Sequence, residues 1–148
     1  MGIELRMIDE NNFLDCFNLK LADGQDAFVS HPIRSLAQAY VYRNQCTPFG
    51  IYQDNTMVGY VMVIYDYDVP EYNIWHMMID EKHQGKGYGK EALRKCLDYI
   101  SAKPFGISNL VALTCSEPNT RAIHLYESLG FKPTDNRDGD EIEMVLNL

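Results

Sequence analysis

Apolar and polar residues change period several times along the chain, and each change marks an element. Residues 3–8 alternate as a half-buried strand does. Asn11 or Asn12 then offers a cap for a helix carrying Phe13, Leu14, Phe17 and Leu21. Residues 22–30 form a loop with Asp23, Gly24 and Asp26. Pro32 suits the first turn of a second helix, with Ile33, Leu36, Ala37 and Tyr40 on one face. Residues 49–52 and 57–65 return to strand composition and are joined by a hairpin turn over 53–56. An acidic turn with Pro70 fills 66–71, and 73–79 is the next strand. A glycine-rich loop leads into a helix to about residue 101, on which Ala92, Leu93, Cys96, Leu97 and Ile100 recur at helical spacing. Residues 109–114 read as a buried strand and 119–129 as a helix stopped by Gly130. Phe131 and residues 141–146 finish as strands, the last alternating Ile142, Met144 and Leu146. The order is β-α-α-β-β-β-α-β-α-β-β.

The glycine loop carries the first chemistry. Gln84-Gly85-Lys86-Gly87-Tyr88-Gly89 lies where a strand runs into a helix. Glycines there expose backbone N–H groups at the positive end of a helix dipole, an arrangement that binds anions and phosphates above all. The spacing is not Gly-x-x-x-x-Gly-Lys-Ser/Thr, which excludes a Walker-type loop. Nor does a Gly-x-Gly-x-x-Gly open the first βαβ unit, as a dinucleotide fold requires.

Gln84-x-x-Gly87-x-Gly89 resembles the acetyl-CoA pyrophosphate loop of the GNAT superfamily of N-acetyltransferases. About thirty residues on, Asn119-Thr-Arg-Ala122-Ile-His-Leu125-Tyr126-Glu-Ser-Leu129-Gly130-Phe131 resembles the same family's second CoA motif. By motif the resemblance spans residues 45–148, and by length the whole chain. It implies one α/β domain over 1–148, with a mixed central sheet flanked by helices on both faces. The strands ending near Ile79 and Thr114 would lie side by side and splay apart to admit a pantetheine arm.

The resemblance also implies site residues. Gly85, Lys86, Gly87, Tyr88, Gly89 and Lys90 would face the diphosphate, and Gln84 would brace the loop or bind the ligand. Met77, Met78 and Ile79 would offer backbone groups to the pantetheine chain, as an added strand would. Asn119 reads as a helix cap after Pro118 and, by resemblance, as a pantetheine contact. Tyr126 would protonate the departing CoA thiolate. Many relatives place a Glu on the strand before the second motif, where this chain has Leu113-Thr114-Cys115-Ser116. The base therefore stays open among His76, which also reads as a packed neighbour of Trp75, and Glu71 and Asp80 at the strand's ends.

Net charge narrows the acceptor. At −8 the chain is a poor nucleic-acid surface and suits a cationic partner or substrate, although charge alone is better explained by plain solubility. Asp23 and Asp26 lie in the loop that rims the acceptor pocket of the resembled fold. Asp66, Asp68 and Glu71 interleave with Tyr65, Tyr67 and Tyr72, a composition that fits a polycation as well as a solvated turn. The segment from Met78 to Leu93 is similar to bacterial spermine/spermidine acetyltransferases. A small polyamine is thus the leading acceptor. Protein N-termini, lysines or other small amines form the alternative, and a CoA-binding sensor without catalysis is a third reading.

The four cysteines are scattered and form no Cys-x-x-Cys, and the four histidines form no ligand cluster, so no metal is expected. No run is long and apolar enough to span a membrane, and the start of the chain lacks a signal-peptide pattern. The expectation is a cytoplasmic protein free of membrane and nucleic acid. Dimers are frequent in the resembled family, but no surface here is marked for one.

Overall fold

The computed structural model describes residues 2–24 and 31–148. Seven strands form one sheet in the order β1-β2-β3-β4-β5-β7-β6. They are β1 (Ile3–Met7), β2 (Cys46–Gln53), β3 (Thr56–Asp66), β4 (Glu71–Ile79), β5 (Leu110–Ser116), β6 (Lys132–Asp138) and β7 (Glu141–Asn147). The helices are α1 (Phe13–Phe17), α2 (Pro32–Val41), α3 (Tyr88–Ser101) and α4 (Thr120–Ser128). The element order is the expected one, and the helices cover both faces. Ala92, Leu93, Cys96 and Ile100 of α3 pack on Val61, Val63, Tyr72 and Ile74, with Ile123 and Leu125 of α4 beside them. Cys16 of α1 and Ala39 of α2 pack on Tyr60, Met62, Ile64 and Met78 on the other face.

Only β4 and β5 run parallel, and they pair only at Tyr72↔Val111 and Asn73↔Ala112. Past Asn73 the two strands separate, so the expected splay is present. β3 and β4 stay paired, but Tyr60 faces Met78 while Met62 faces Trp75. Two steps on β3 thus match three on β4, which is a β-bulge. His76 sits in it with φ 58°, a conformation uncommon for a side-chain-bearing residue. The extra residue turns Trp75 and His76 to the same face, toward α2, and returns Met77 and Ile79 to the α3 face.

Two expectations fail locally. The exposed face of α2 carries Ile33, Ala37 and Tyr40, while Pro32, Ser35 and Ala39 are buried. Of the expected face only Leu36 packs on the core, because the inward stripe also holds Ser35, whose Oγ donates to the Tyr60 hydroxyl at 2.8 Å. Helix α1 also ends before Leu21. The Lys20 N–H is captured by the Asp80 carboxylate at 2.8 Å, which draws the chain out of the helix. Asn12 precedes α1 without capping it by its side chain; its Oδ1 accepts from Asp9 N instead.

Candidate active site

A cavity of about 390 Å³ opens where β4 leaves β5. Its walls are Met77, Met78 and Ile79 of β4, the loop and first turn of α3, and Asn119, Arg121, Ala122, Leu125 and Tyr126 at the start of α4. Gly85, Gly87, Tyr88, Gly89 and Lys90 all contribute. Gly85 and Gly87 have φ of 77° and 81°, and a Cβ on either would meet nothing within 4 Å. These glycines serve the backbone turn and leave open space beside it. Gly87 caps α3 with no side-chain hydrogen bond, so the first N–H groups of a 14-residue helix are left for a ligand. Gly89 lies where a Cβ would come 3.3 Å from Met77 Cε, which sets the helix start tightly against β4.

The polar residues divide by what they hold. Gln84 Nε2 donates to Ile79 O at 2.9 Å, bracing the loop on the end of β4. Asn119 Oδ1 accepts from Ala122 N at 3.4 Å and so caps α4. Lys86 is exposed and absent from the cavity wall. The cationic wall side chains are Lys90 and Arg121, and His83 lies beside them; Arg121 and His83 went unassigned in the sequence. Arg121 stood inside the second motif, and its place at the first turn of a helix beside an anion site was the signal that could have found it. The residues present therefore fit a diphosphate-bearing ligand, which the start of α3 with Lys90 and Arg121 would hold.

Tyr126 reaches the same cavity from two turns into α4. Its ring packs edge-on to Phe131 with centroids 6.1 Å apart. Its hydroxyl makes no hydrogen bond among the described residues. Burial, and then the nearby Cys115, push its pKa well above the usual phenol value, so the proton stays on oxygen at neutral pH. A half-buried phenol lining the cavity is a proton donor for a leaving group there, and its raised pKa makes transfer to a thiolate costlier than from an ordinary phenol.

The acceptor-side candidates are not gathered in one place. Asp23 is an exposed turn residue, and Asp26 lies outside the described residues. Glu71 stands at the end of β4 that is joined to β5, six residues before Met77 and away from the opening. Its carboxyl is pushed up by burial, then by Glu143. Asp66 folds back on its own turn, accepting from Asp68 N and Val69 N. Asp80 is spent on structure, because its two oxygens accept from Lys20 N and Lys82 N. Thr114 is exposed on β5. His76 is not part of the cavity wall; it lies on the α2 face of β4, three residues beyond Asn73, where the pairing with β5 stops. Its Nδ1 lies 2.7 Å from Ser35 Oγ, and its pKa falls below 6.5 through burial first and the Arg34 charge second. Among the described residues no group of metal-ligating side chains occurs, and no helix is long and apolar enough to cross a membrane.

Comparison with known proteins agrees with this geometry. The family model described as acetyltransferase (GNAT) family matches residues 13–131. A spermine/spermidine N(1)-acetyltransferase of Bacillus subtilis (strain 168) is 26% identical over 141 residues, 89% of each chain. A spermidine N(1)-acetyltransferase of Vibrio cholerae is 37% identical over 59 residues, covering 38% of this chain and 32% of that one. Among solved structures, Vibrio cholerae spermidine N-acetyltransferase in complex with CoA and spermine superposes with a TM-score of 0.70 at 19% identity, over 99% of this chain and 95% of that one. The PaiA N-acetyltransferase of Thermoplasma acidophilum in complex with coenzyme A gives 0.75 at 16% identity, over all of both chains. The uncapped helix start, the opened strand pair and the half-buried phenol share one cavity, and a family model covers most of the sequence around them: the chain belongs to the acetyltransferase (GNAT) family and uses acetyl-CoA.

Proposed function

We propose that the protein transfers the acetyl group of acetyl-CoA to a primary amine of a small polycation of the spermine/spermidine kind, by direct attack of the amine on the thioester. One observation carries the reading: Tyr126 presents its unpartnered hydroxyl to the cavity that the bare start of α3 and the unpaired edge of β4 also line. In it, the N–H groups of Gly87, Tyr88, Gly89 and Lys90 hold the diphosphate, with Lys90 and Arg121 adding charge. Met77, Met78 and Ile79 give backbone groups to the pantetheine arm in place of the missing β5 ladder. Tyr126 protonates the sulfur as the C–S bond breaks. Positioning and the low-dielectric cavity supply most of the acceleration. The net charge of −8 and the polyamine acetyltransferases among the relatives support a polycationic acceptor.

Thiol release from acetyl-CoA against spermidine, spermine, diamines, aminoglycosides and a lysine peptide tests this. Turnover on spermidine or spermine that falls as salt rises is the expected result. Turnover confined to the lysine peptide moves the activity to a protein acceptor. Silence across the panel with acetyl-CoA still bound overturns the enzyme reading in favour of a CoA-binding sensor.

A further inference from the structure

The face of β4 opposite the cavity carries a hydrogen-bonded chain that the CoA side does not use. Ser35 Oγ donates to the Tyr60 hydroxyl at 2.8 Å and lies 2.7 Å from His76 Nδ1. Ser35 and Tyr60 are both fully buried. A serine hydroxyl has one proton, and the arrangement in which Ser35 donates to Tyr60 uses it up. The contact with Nδ1 is then a hydrogen bond only if Nδ1 carries the imidazole proton and donates it to Ser35. In the neutral ring that leaves Nε2 with its lone pair bare, and Nε2 has no hydrogen-bond partner among the described residues. His31, on the same helix face, is set the other way. Its Nδ1 accepts from Ile33 N, and its Nε2 lies 2.9 Å from Leu19 O, so both nitrogens are used.

A second observation points to the same place. Ser35, Gln38 and Tyr42 follow one another along a single stripe of α2. Ser35 touches His76, and Tyr42 packs edge-on to Trp75 with centroids 6.4 Å apart. Gln38 comes between them on that stripe. Its Oε1 is the one buried side-chain oxygen or nitrogen without a partner among the described residues. An acceptor oxygen and a bare ring nitrogen on the α2 side of the opening suit a group that arrives with several N–H protons.

We infer that His76 is the base that takes the proton of the incoming ammonium at Nε2, and that Ser35 and Tyr60 are positioning residues that fix its tautomer. This rests on the reading that the protein acetylates amines. The ammonium gives one proton to Nε2, and the freed lone pair forms the C–N bond at the thioester carbon. On collapse the C–S bond breaks, sulfur takes the proton of Tyr126, and the nitrogen loses its second proton. Of the two protons that leave nitrogen, one restores the Tyr126 hydroxyl and one passes to solvent. Burial and Arg34 of α2 keep the ring neutral before each turnover, and Tyr60 of β3, behind Ser35, is the other titratable group in the chain of contacts.

The test has two arms on the full chain. In the first, imidazole 15N signals are recorded for the wild type, Tyr60→Phe and Ser35→Ala. The wild type is expected to show a protonated Nδ1 and a bare Nε2. Tyr60→Phe, which removes one oxygen, frees the Ser35 proton for Nδ1 and should move the imidazole proton to Nε2. A wild-type ring protonated at Nε2 would mean that Tyr60 donates to Ser35 and Ser35 to His76, and it overturns the inference. So does an unchanged tautomer in Tyr60→Phe.

The second arm follows acetylation of spermidine, spermine and a lysine peptide across pH. His76→Asn keeps a residue that tolerates positive φ, and acetyl-CoA binding reports its folding. Its kcat/KM should drop about 10²-fold at neutral pH and recover toward the amine's own pKa of about 10, where free amine needs no base. Ser35→Ala should lose part of this and Ser35→Thr regain it. An unchanged pH profile in His76→Asn overturns the inference while the acetyltransferase reading stands. No wild-type turnover on any of the three amines overturns both.

Discussion

The two faces of β4 are built by different means. Toward α3 and α4 the site is mainly backbone: glycines at φ 77° and 81°, an uncapped helix start and an unpaired strand edge. Toward α2 it is side chain: Ser35, Tyr42, Trp75 and His76, held by hydrogen bonds and ring contacts, and Gln38 with its unpartnered oxygen. A donor molecule common to a whole family can be held by groups every residue owns. An acceptor that differs between relatives must be read by side chains, which differ too.

Substitutions can break this contrast. The largest effect is expected from Tyr126→Phe, which should cut kcat roughly 10²-fold while KM for acetyl-CoA stays the same. Steady-state kinetics with both substrates varied would show it, and unchanged turnover removes Tyr126 from the proton-donor role. Gly87→Val comes next. A β-branched residue at φ 81° costs about 1–2 kcal/mol and displaces the N–H groups at the start of α3. KM for acetyl-CoA should rise about tenfold, worth about 1.4 kcal/mol, with KM for the amine little moved. A parallel rise in both constants would mean that the faces are not independent.

Legibility in the sequence followed the same division. Gln84–Gly89 and Asn119–Tyr126 announced the donor side because glycine and helix caps have few other uses at such junctions, and the structure brings both stretches to one cavity. Strand and helix order was legible for the same reason of local chemistry. The acceptor side was not. The inward position on α2 that touches β4 is a serine, so hydrophobic periodicity rotated the helix and kept only Leu36 on the core side. The bulge that swings His76 beside Trp75 leaves no mark in a run of apolar residues. The acidic turn looked like a substrate rim, but its Asp66 carboxylate is occupied by its own backbone.

A smaller test separates stability from recognition. Gly106 carries the carbonyl that accepts from the Tyr72 hydroxyl at 2.7 Å, and a Cβ there would fall 2.0 Å from the Tyr65 ring. Gly106→Ala should lower unfolding free energy by about 1–3 kcal/mol and leave both KM values alone, because it lies at the joined end of β4 and β5. Denaturant melts beside kinetics would check it.

The smallest effect is on pH stability. The His76 pKa lies below its ordinary 6.5 in the fold, through burial and then Arg34. Between that lowered value and 6.5 the unfolded chain binds a proton that the folded chain refuses. Stability is therefore complete above pH 6.5 and declines as pH falls through that window. His76→Asn should flatten this part of the profile in thermal melts.

Two residue pairs hold β4 to β5. Mechanically the sheet is two plates, β1–β4 and β5-β7-β6, riveted at one corner. Amide hydrogens along Ile74–Ile79 that face the gap have no strand to shield them and should exchange with solvent faster than those facing β3. A pantetheine arm laid in the gap acts as the missing crosspiece. Saturating acetyl-CoA would slow that exchange and add about 2.7 kcal/mol at a hundredfold excess over its Kd. The protein's rigidity would then rise and fall with the cell's supply of acyl donor.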